Sequence, residues 1–537
     1  MKSQKQLFYL LLVAVAILLF AHLGKLYVDI MEARNFVSAR EMAEEGHWIF
    51  TTMNGIPRYE KPPLPTWLSA WMGQIFGFDN ITALRFPAAL SCMLLIIYFY
   101  KIVDLLSKNT HIALISSLVL VTNFLVIYVG RRANWDIYSY SFMVIGIYYF
   151  LLALKKIKSI PNYLFAGVFF GLSILSKGPT GPYVLLIPLI MGYAITFGMP
   201  KWVDIKGIAL CSVITVMIGF SWYLYIYLAD SDTFLAIMKK EALARENRDA
   251  KPFTRYLSFP VQTGVWIFYS VVGLVFPMVK KRVKQPEIYM LFFYWTLFSL
   301  ILLSLIPSKK ERYLFPMMVP LAATTGYYLH YLFHNLDLKK WELHLNKAIF
   351  TALAIVSLAI SVGIYFLPLT VEINTVLFSA AAFVTCVSLA YFIYIKQNFQ
   401  YAFCSVIVLM IYTGIFGLPV LDKMLSNNKE FKSLTTIKAK LHHENLRLYT
   451  YSEYSPEVWF KYQELMPEIQ PGNPKTYPAD KEFYIAMNSN KPESLKTLED
   501  LSWKPVYIGV FDDNEEGPHS KNYTDRKIHY VYKIMTL

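Results

Sequence analysis

Long apolar runs alternate with short basic connections over most of the chain. A helix needs roughly 20 apolar residues to cross a bilayer, and thirteen runs approach that length. They predict spanning helices at about 7–26, 83–102, 110–129, 135–154, 161–177, 181–198, 207–228, 259–279, 287–305, 313–334, 347–367, 374–394 and 401–421. The pattern predicts a mainly α-helical, polytopic membrane protein.

The pattern changes after Leu421, where Lys, Glu, Asn and Pro become frequent. A helical segment at 430–445 precedes short β-rich runs, which are separated by turn-rich stretches. These runs lie at 446–451, 482–487, 505–511 and 527–534. We therefore expect a transmembrane domain at 1–422 and a small soluble α/β domain at 423–537.

Composition supports a membrane location. Charged residues make up 16% of the chain and the mean hydropathy is +0.40, whereas soluble proteins carry about a quarter charged residues. The net charge of +14 fits cytoplasmic loops that face anionic lipid. No soluble basic domain is predicted, which argues against nucleic-acid binding.

Basic residues in the short loops set the predicted orientation. With Lys2 and Lys5 in the cytoplasm, every loop on that side carries lysine or arginine. Thirteen crossings then leave the C-terminal domain outside, in the periplasmic or extracellular space. We expect a multi-pass protein of the inner (plasma) membrane with a retained first helix.

The predicted outer side also carries positive charge close to helix ends. Phosphate is an anion that Arg and Lys bind with charge-assisted hydrogen bonds, so this excess suggests a bound phosphate. Interfacial snorkelling is the alternative explanation. The residues are Arg131, Arg132, Lys177, Arg245, Arg248, Lys309, Lys310 and Arg312.

The first outer loop, 27–82, is too long for a simple connector. It begins with Asp29, Glu32 and Arg34. One of these carboxylates could act as general base on an acceptor hydroxyl or amine, and Arg34 could orient it or bind phosphate. An acidic first turn of a helix is the structural alternative.

Later in the same loop, Glu60 and Lys61 precede two prolines that fix the backbone. Lys61 could contact a phosphate, and Glu60 could bind a sugar hydroxyl, an amine or a metal. A turn before an interfacial helix is the structural alternative. Asp136 opens a predicted helix, and we favour a helix-capping role for it.

Several motifs together resemble the GT-C superfamily of membrane glycosyltransferases, including the lipid A aminoarabinose transferases and the protein O-mannosyltransferases. The motifs are Arg-Glu-Met at 40–42, Tyr-Glu-Lys-Pro-Pro at 59–63, Ser-Lys-Gly-Pro at 176–179 and Lys-Lys-Glu-Arg-Tyr-Leu-Phe-Pro at 309–316. The resemblance implies thirteen helices and an outer C-terminal domain. It also implies inverting transfer of a hexose or pentose from a polyprenyl phosphate to a lipid A-like lipid, a protein or a glycan.

The resemblance also implies roles for single residues. Those expected to hold the donor phosphate are Lys61, Lys177, Arg245, Arg34, Lys309 and Tyr313. Those expected to contact substrate are Glu60, Arg131 and Asp136.

Two positions depart from the family pattern. Met31 stands where the family has a catalytic Asp, so we expect Glu32 to be the base, with Asp29 as the second candidate. Ala242 stands where related enzymes have a His that can bind a metal. No cofactor is therefore assigned, and a divalent metal is left open.

A transporter or flippase of an anionic lipid-linked sugar is the alternative function. Transporters favour inverted repeats and broken helices near the midplane. Because the polar residues here cluster at the predicted outer surface, the enzyme is the favoured prediction.

Overall fold

The structure is a computed structural model that describes residues 4–157, 159–198, 205–247, 250–335, 338–451, 455–488 and 503–536. The chain forms two compact units. One consists of Met1–Leu23, Tyr59–Pro65 and Arg85–Val420, and the other of Gly24–Arg58, Thr66–Leu84 and Leu421–Leu537. Most of the first outer loop thus belongs to the same unit as the C-terminal tail. The predicted domain boundary at 422/423 stays a prediction.

Within the described residues, eight helices are long and apolar enough to cross a membrane. The chain is therefore a mainly helical, multi-pass membrane protein, whereas the finer prediction of thirteen spans stays a prediction. The eight are Ile81–Ser107, Trp135–Leu154, Ser159–Lys177, Ile205–Ala229, Pro286–Leu305, Lys340–Phe366, Ile373–Ile395 and Phe399–Leu425, the last three including short 3₁₀ or π turns.

Two predicted spans are broken. The run 110–129 forms Thr110–Val121 and Phe124–Gly130, bent by 67°, and Asn123 caps the second helix by accepting from Leu125 N. The run 259–279 forms short pieces because prolines and a left-handed Gly264 interrupt it. These pieces are Phe259–Gln262, Gly264–Trp266, Ile267–Val272 and Phe276–Lys280.

The remaining helices are shorter or more polar. They are Gln4–Phe20, Ile30–Glu44, Leu64–Phe76, Pro182–Leu186, Ile187–Phe197, Ser231–Asn247, Phe253–Ser258, Glu311–Leu314, Phe315–His334, Leu434–Ile437, Lys438–Glu444, Pro456–Tyr462, Pro474–Thr476 and Asp525–Lys527.

In the second unit, Glu41 organises the chain that follows helix Ile30–Glu44. Its carboxylate accepts hydrogen bonds from Thr52 Oγ1 at 2.7 Å, Asn54 N at 2.6 Å and Gly55 N at 3.2 Å. These residues form the hairpin of strands Thr52–Met53 and Ile56–Pro57. One buried side chain therefore fixes the tight turn, in which both Asn54 and Gly55 have positive φ.

The second unit also contains a five-stranded mixed sheet. Leu448–Tyr451 pairs in parallel with both of its neighbours, and the other pairs are antiparallel. The strand order is Glu468–Ile469, Leu448–Tyr451, Glu482–Met487, Ile528–Thr536 and Trp503–Asp512. Each of the four β-rich runs falls on one of these strands, whereas the two-residue strand Glu468–Ile469 is too short to give a sequence pattern.

The sheet buries His529, whose exposure is 0%. Burial lowers the pKa of His529 to about 4, and the nearby Asp512 opposes this shift. An unfolded histidine takes up a proton near pH 6.5. Acid therefore favours the unfolded state, and the stability that His529 provides above pH 6.5 is lost as the pH falls towards 4.

We expect the full-length protein to unfold at a lower temperature at pH 5 than at pH 7, with this histidine contributing about 2 kcal/mol. Thermal unfolding of the detergent-solubilised protein measures the effect. His529→Gln stays neutral at both pH values, so it should show a weaker pH dependence. An unchanged pH dependence in that variant would contradict this origin.

Candidate active site

A buried carboxylate gathers the charged groups of the first unit. Asp136 lies in the first turn of helix Trp135–Leu154 and is 2% exposed. Lys177 Nζ donates a hydrogen bond to Asp136 Oδ1 in a close ion pair. Arg312 Nε lies 3.9 Å from Asp136 Oδ2. The carboxylate therefore has a cation beside each of its oxygens.

The chain order explains why Lys177 meets Asp136. Helices Trp135–Leu154 and Ser159–Lys177 follow one another and pack together, so the start of the first lies beside the end of the second. Gly178 ends the second helix with φ +80°, a conformation that favours glycine. An Asp at a helix start and a Lys at a helix end each also interact favourably with the helix dipole.

Aromatic rings surround these charges. Tyr140 OH donates to Asp136 Oδ1 at 3.3 Å, and the Tyr140 ring stacks on Phe315 with centroids 5.6 Å apart. Lys177 Nζ lies 4.9 Å from the centre of the Tyr313 ring, and the Arg312 guanidinium lies 5.4 Å from it. The rings provide cation–π contacts and limit the movement of both cations.

The segment Tyr59–Pro65 brings Lys61 to the same region, where it interacts electrostatically with Asp136. Tyr59 anchors the start of this segment, because its OH donates to Asp230 Oδ2 at 3.0 Å. Burial, with a contribution from Asp230, raises the pKa of Tyr59 to about 12. Tyr59 therefore stays a neutral donor at physiological pH, and Glu60 beside it is half-buried.

A family model for dolichyl-phosphate-mannose-protein mannosyltransferases matches residues 60–226. An undecaprenyl phosphate-alpha-4-amino-4-deoxy-L-arabinose arabinosyl transferase 2 of Proteus mirabilis is 26% identical over 306 residues, which cover 55% of this chain and 54% of the relative. The chain thus spans about half the length of the curated relatives it matches.

Two solved structures are similar over nearly the whole chain. ArnT from Cupriavidus metallidurans, bound to undecaprenyl phosphate, gives a TM-score of 0.70 at 15% identity and covers 98% of this chain and 97% of its own. The archaeal oligosaccharyltransferase AglB from Archaeoglobus fulgidus gives a TM-score of 0.50 at 12% identity, covering 98% and 74%. The chain therefore has the same fold as ArnT from Cupriavidus metallidurans. The resemblance predicted from the motifs is confirmed.

Three of the four motifs thus contribute a residue beside Asp136, namely Lys61, Lys177 and Arg312, although the sequence prediction of the role of Asp136 as a cap is wrong. The N-cap residue is Asn134, and the Asp136 carboxylate binds the two cations instead. Arg312 belongs to the predicted outer-side excess of positive charge, but neither it nor Tyr140 is given a role by the resemblance. Tyr140 carries no sequence signal because it is one of many tyrosines in apolar helices.

Two predicted ligand-binding cations of the GT-C domain contact backbone carbonyls. Lys309 is buried, and its Nζ donates to Ile306 O at 2.7 Å and Lys251 O at 3.1 Å. The Arg131 guanidinium contacts the end of helix Gln4–Phe20, where it donates to the carbonyls of Leu18, Leu19, Ala21 and His22 at 2.7–3.1 Å. The structure gives both residues a role in holding backbone, and their substrate roles stay predictions.

The predicted base candidates lie in the second unit. Asp29 is the N-cap of helix Ile30–Glu44, and its Oδ1 accepts from Met31 N at 2.8 Å and Glu32 N at 3.0 Å. Glu32 follows in the first turn and is fully buried. Arg34 Nη1 lies 3.8 Å from Met31 Sδ, so Met31, which stands where the resemblance implies an Asp, contacts a neighbouring guanidinium.

Arg245 lies in helix Ser231–Asn247, but its side chain is outside the described part of the structure, and so is Arg248. Ala242 lies in the same helix and is exposed. Among the described residues, no three His, Cys, Asp or Glu side chains lie close enough together to hold a metal ion.

Arg131→Met should destabilise the protein, because four backbone carbonyls lose their shared donor. Hydrogen bonds to charged groups contribute enough for an expected loss of about 3 kcal/mol, measured as a lower thermal unfolding temperature. Arg131→Lys keeps the charge without the planar fork and should lose less. Unchanged stability with lost binding of undecaprenyl phosphate would instead indicate a substrate role.

Proposed function

We propose that the protein transfers a sugar from a polyprenyl-phosphate donor to a lipid A-like lipid, a protein or a glycan on the outer side of the inner membrane. The observation that carries this proposal is the convergence of Lys177 and Arg312 on Asp136, with Lys61 contributing to the same positive potential. The wild-type protein should therefore release undecaprenyl phosphate from a sugar-linked donor in the presence of an acceptor lipid.

The cations would act on the donor phosphate. Transfer leaves polyprenyl phosphate with an additional negative charge, and preorganised donors stabilise charge that develops in the transition state. Asp136 would keep the Lys177 ammonium and the Arg312 guanidinium oriented before the donor binds. Phosphate is already a good leaving group, so this neutralisation and correct positioning supply most of the catalysis.

The bond changes follow from inversion at the anomeric carbon. The acceptor oxygen or nitrogen attacks the face opposite the phosphate, and the bond between the anomeric carbon and the phosphate oxygen breaks with its electron pair on that oxygen. A carboxylate takes the acceptor proton. Glu32 is the favoured base because Asp29 already uses Oδ1 to cap its helix, and Asp29 stays the alternative.

The orientation supports an outer-face reaction. With the predicted cytoplasmic N-terminus and thirteen predicted crossings, Lys61 and Lys177 would lie at the outer ends of their segments. The C-terminal domain then lies in the periplasmic or extracellular space. The other residues proposed to bind the donor phosphate are Arg34, Arg245, Lys309 and Tyr313. Two further residues, Glu60 and Arg131, are proposed to contact substrate.

Lys177→Met tests the phosphate role, because it keeps the apolar stem and removes the charge. We expect kcat/KM to fall at least about 100-fold, as for loss of one member of a buried charged pair. The measurement is release of undecaprenyl phosphate from undecaprenyl phosphate-linked 4-amino-4-deoxy-L-arabinose by protein in nanodiscs, with extracted envelope lipids as acceptor.

Lys240→Met is the matched control, since Lys240 is exposed on helix Ser231–Asn247. It should keep wild-type turnover. Normal turnover in Lys177→Met would contradict the phosphate role. Movement of the intact lipid-linked sugar across the bilayer without bond cleavage would favour the flippase.

A second pair of variants separates the two base candidates. Asn caps helices as well as Asp does, so Asp29→Asn should preserve the fold of helix Ile30–Glu44 and retain turnover. Glu32→Gln should lose turnover by about 100-fold or more, because an amide cannot take the acceptor proton. The opposite result would make Asp29 the base, and both variants should still bind undecaprenyl phosphate.

A further inference from the structure

The second unit contains a pocket of about 290 Å³ that takes no part in the proposed reaction. Its apolar wall includes Leu26, Val28, Ile81 and Phe460. The charged part of the wall comes from the C-terminal tail and from Lys25. The volume is near the lower end of the range for small-ligand sites, so the pocket is large enough for a head group.

One lysine in this wall forms no ion pair with any of the described residues. Lys527 is 8% exposed, and its Nζ lies 5.5 Å from the centre of the Tyr27 ring, which also lines the pocket. No carboxylate or hydrogen-bond acceptor among the described residues contacts this ammonium directly. Burial lowers the pKa of Lys527, although Glu457 and Glu515 partly offset the effect from a greater distance.

The carboxylates that line the pocket are already paired with other cations. Asp422 accepts from Leu26 N at 2.7 Å and lies 3.4 Å from Lys25 Nζ. Glu457 pairs with Arg526 at 2.5 Å, and Glu515 pairs with Lys461 at 2.9 Å. Lys527 is therefore a largely buried cation whose neighbouring acids are engaged elsewhere.

A buried ammonium without a direct partner is costly, and a ligand that supplies the missing negative charge would offset this cost. We propose that the pocket binds a phosphate group through Lys527, with the apolar wall contacting the part of the ligand next to the phosphate. Lysine binds phosphate as a point charge. The phosphate could belong to a lipid head group or to a free phosphate compound.

The position of the pocket residues in the sequence favours a lipid head group as the source of the phosphate. Residues 24–28 follow helix Gln4–Phe20 within a few residues, so in the sequence this wall comes directly after an apolar helix. The site is independent of the proposed sugar transfer, since none of its residues belongs to the Asp136 cluster. Loss of phosphate binding here and loss of turnover are therefore separate outcomes.

The test uses the full-length protein in phosphatidylcholine nanodiscs. One arm titrates inorganic phosphate against sodium chloride of equal ionic strength, and the other adds phosphatidic acid to the nanodiscs. We expect at least one phosphate probe to raise the unfolding temperature of the wild type. In Lys527→Met the half-saturating concentration should be at least about ten-fold higher.

Lys504→Met is the matched control, because Lys504 is exposed in strand Trp503–Asp512 outside the pocket, and it should respond like the wild type. Ser426→Trp should fill the pocket from its exposed rim without altering Lys527 and should also weaken the response. It serves as the second variant if Lys527→Met fails to fold.

Without phosphate, Lys527→Met should unfold at the wild-type temperature or above it, since the substitution removes a buried charge. A response to phosphatidic acid alone identifies a lipid head group as the source, and an equal response to inorganic phosphate shows that free phosphate is sufficient. No wild-type response to either probe overturns the proposal. Equal responses in the wild type, Lys527→Met and Ser426→Trp also overturn it.

Discussion

The ion pair between Asp136 and Lys177 constrains how the helices of the first unit pack at the candidate active site. A carboxylate at the start of an apolar helix is expensive to bury unless cations and hydrogen bonds compensate it. Lys177, Arg312 and Tyr140 supply that compensation. The same compensation holds the start of helix Trp135–Leu154 against the end of helix Ser159–Lys177, so the orientation of the Lys177 ammonium and the packing of the two helices depend on one contact.

In the second unit, backbone amides provide hydrogen bonds to two carboxylates. Asp29 and Glu41 occupy the two ends of helix Ile30–Glu44. Asp29 accepts from the free amides of the first turn, and Glu41 accepts from the hairpin that follows. These two carboxylates therefore determine how the polar loop after the first apolar helix is folded.

The sequence alone was sufficient to predict structural features that depend on a local pattern of residues. The lengths of the apolar runs predicted the positions of most of the spans, and the short β-rich runs predicted the positions of the four longer strands. The broken run at 259–279 was missed because hydropathy averages over the prolines and over Gly264, whereas backbone geometry responds to each of them. The roles of Asp136, Arg131 and Lys309 were also beyond the sequence, because each depends on which group from a distant segment lies within hydrogen-bond distance.

The outer-side excess of positive charge therefore has two physical origins that look alike in a sequence. Arg131 and Lys309 donate to carbonyls at helix ends and loops, where the last carbonyls of a helix lack intrahelical donors. Lys177 and Arg312 instead face a carboxylate, whose charge a phosphate would match. A cation held by neutral carbonyls keeps its partners when substrate binds. One held by an anion can exchange part of its interaction for a phosphate, which is why the Asp136 cluster is the better candidate for the donor site.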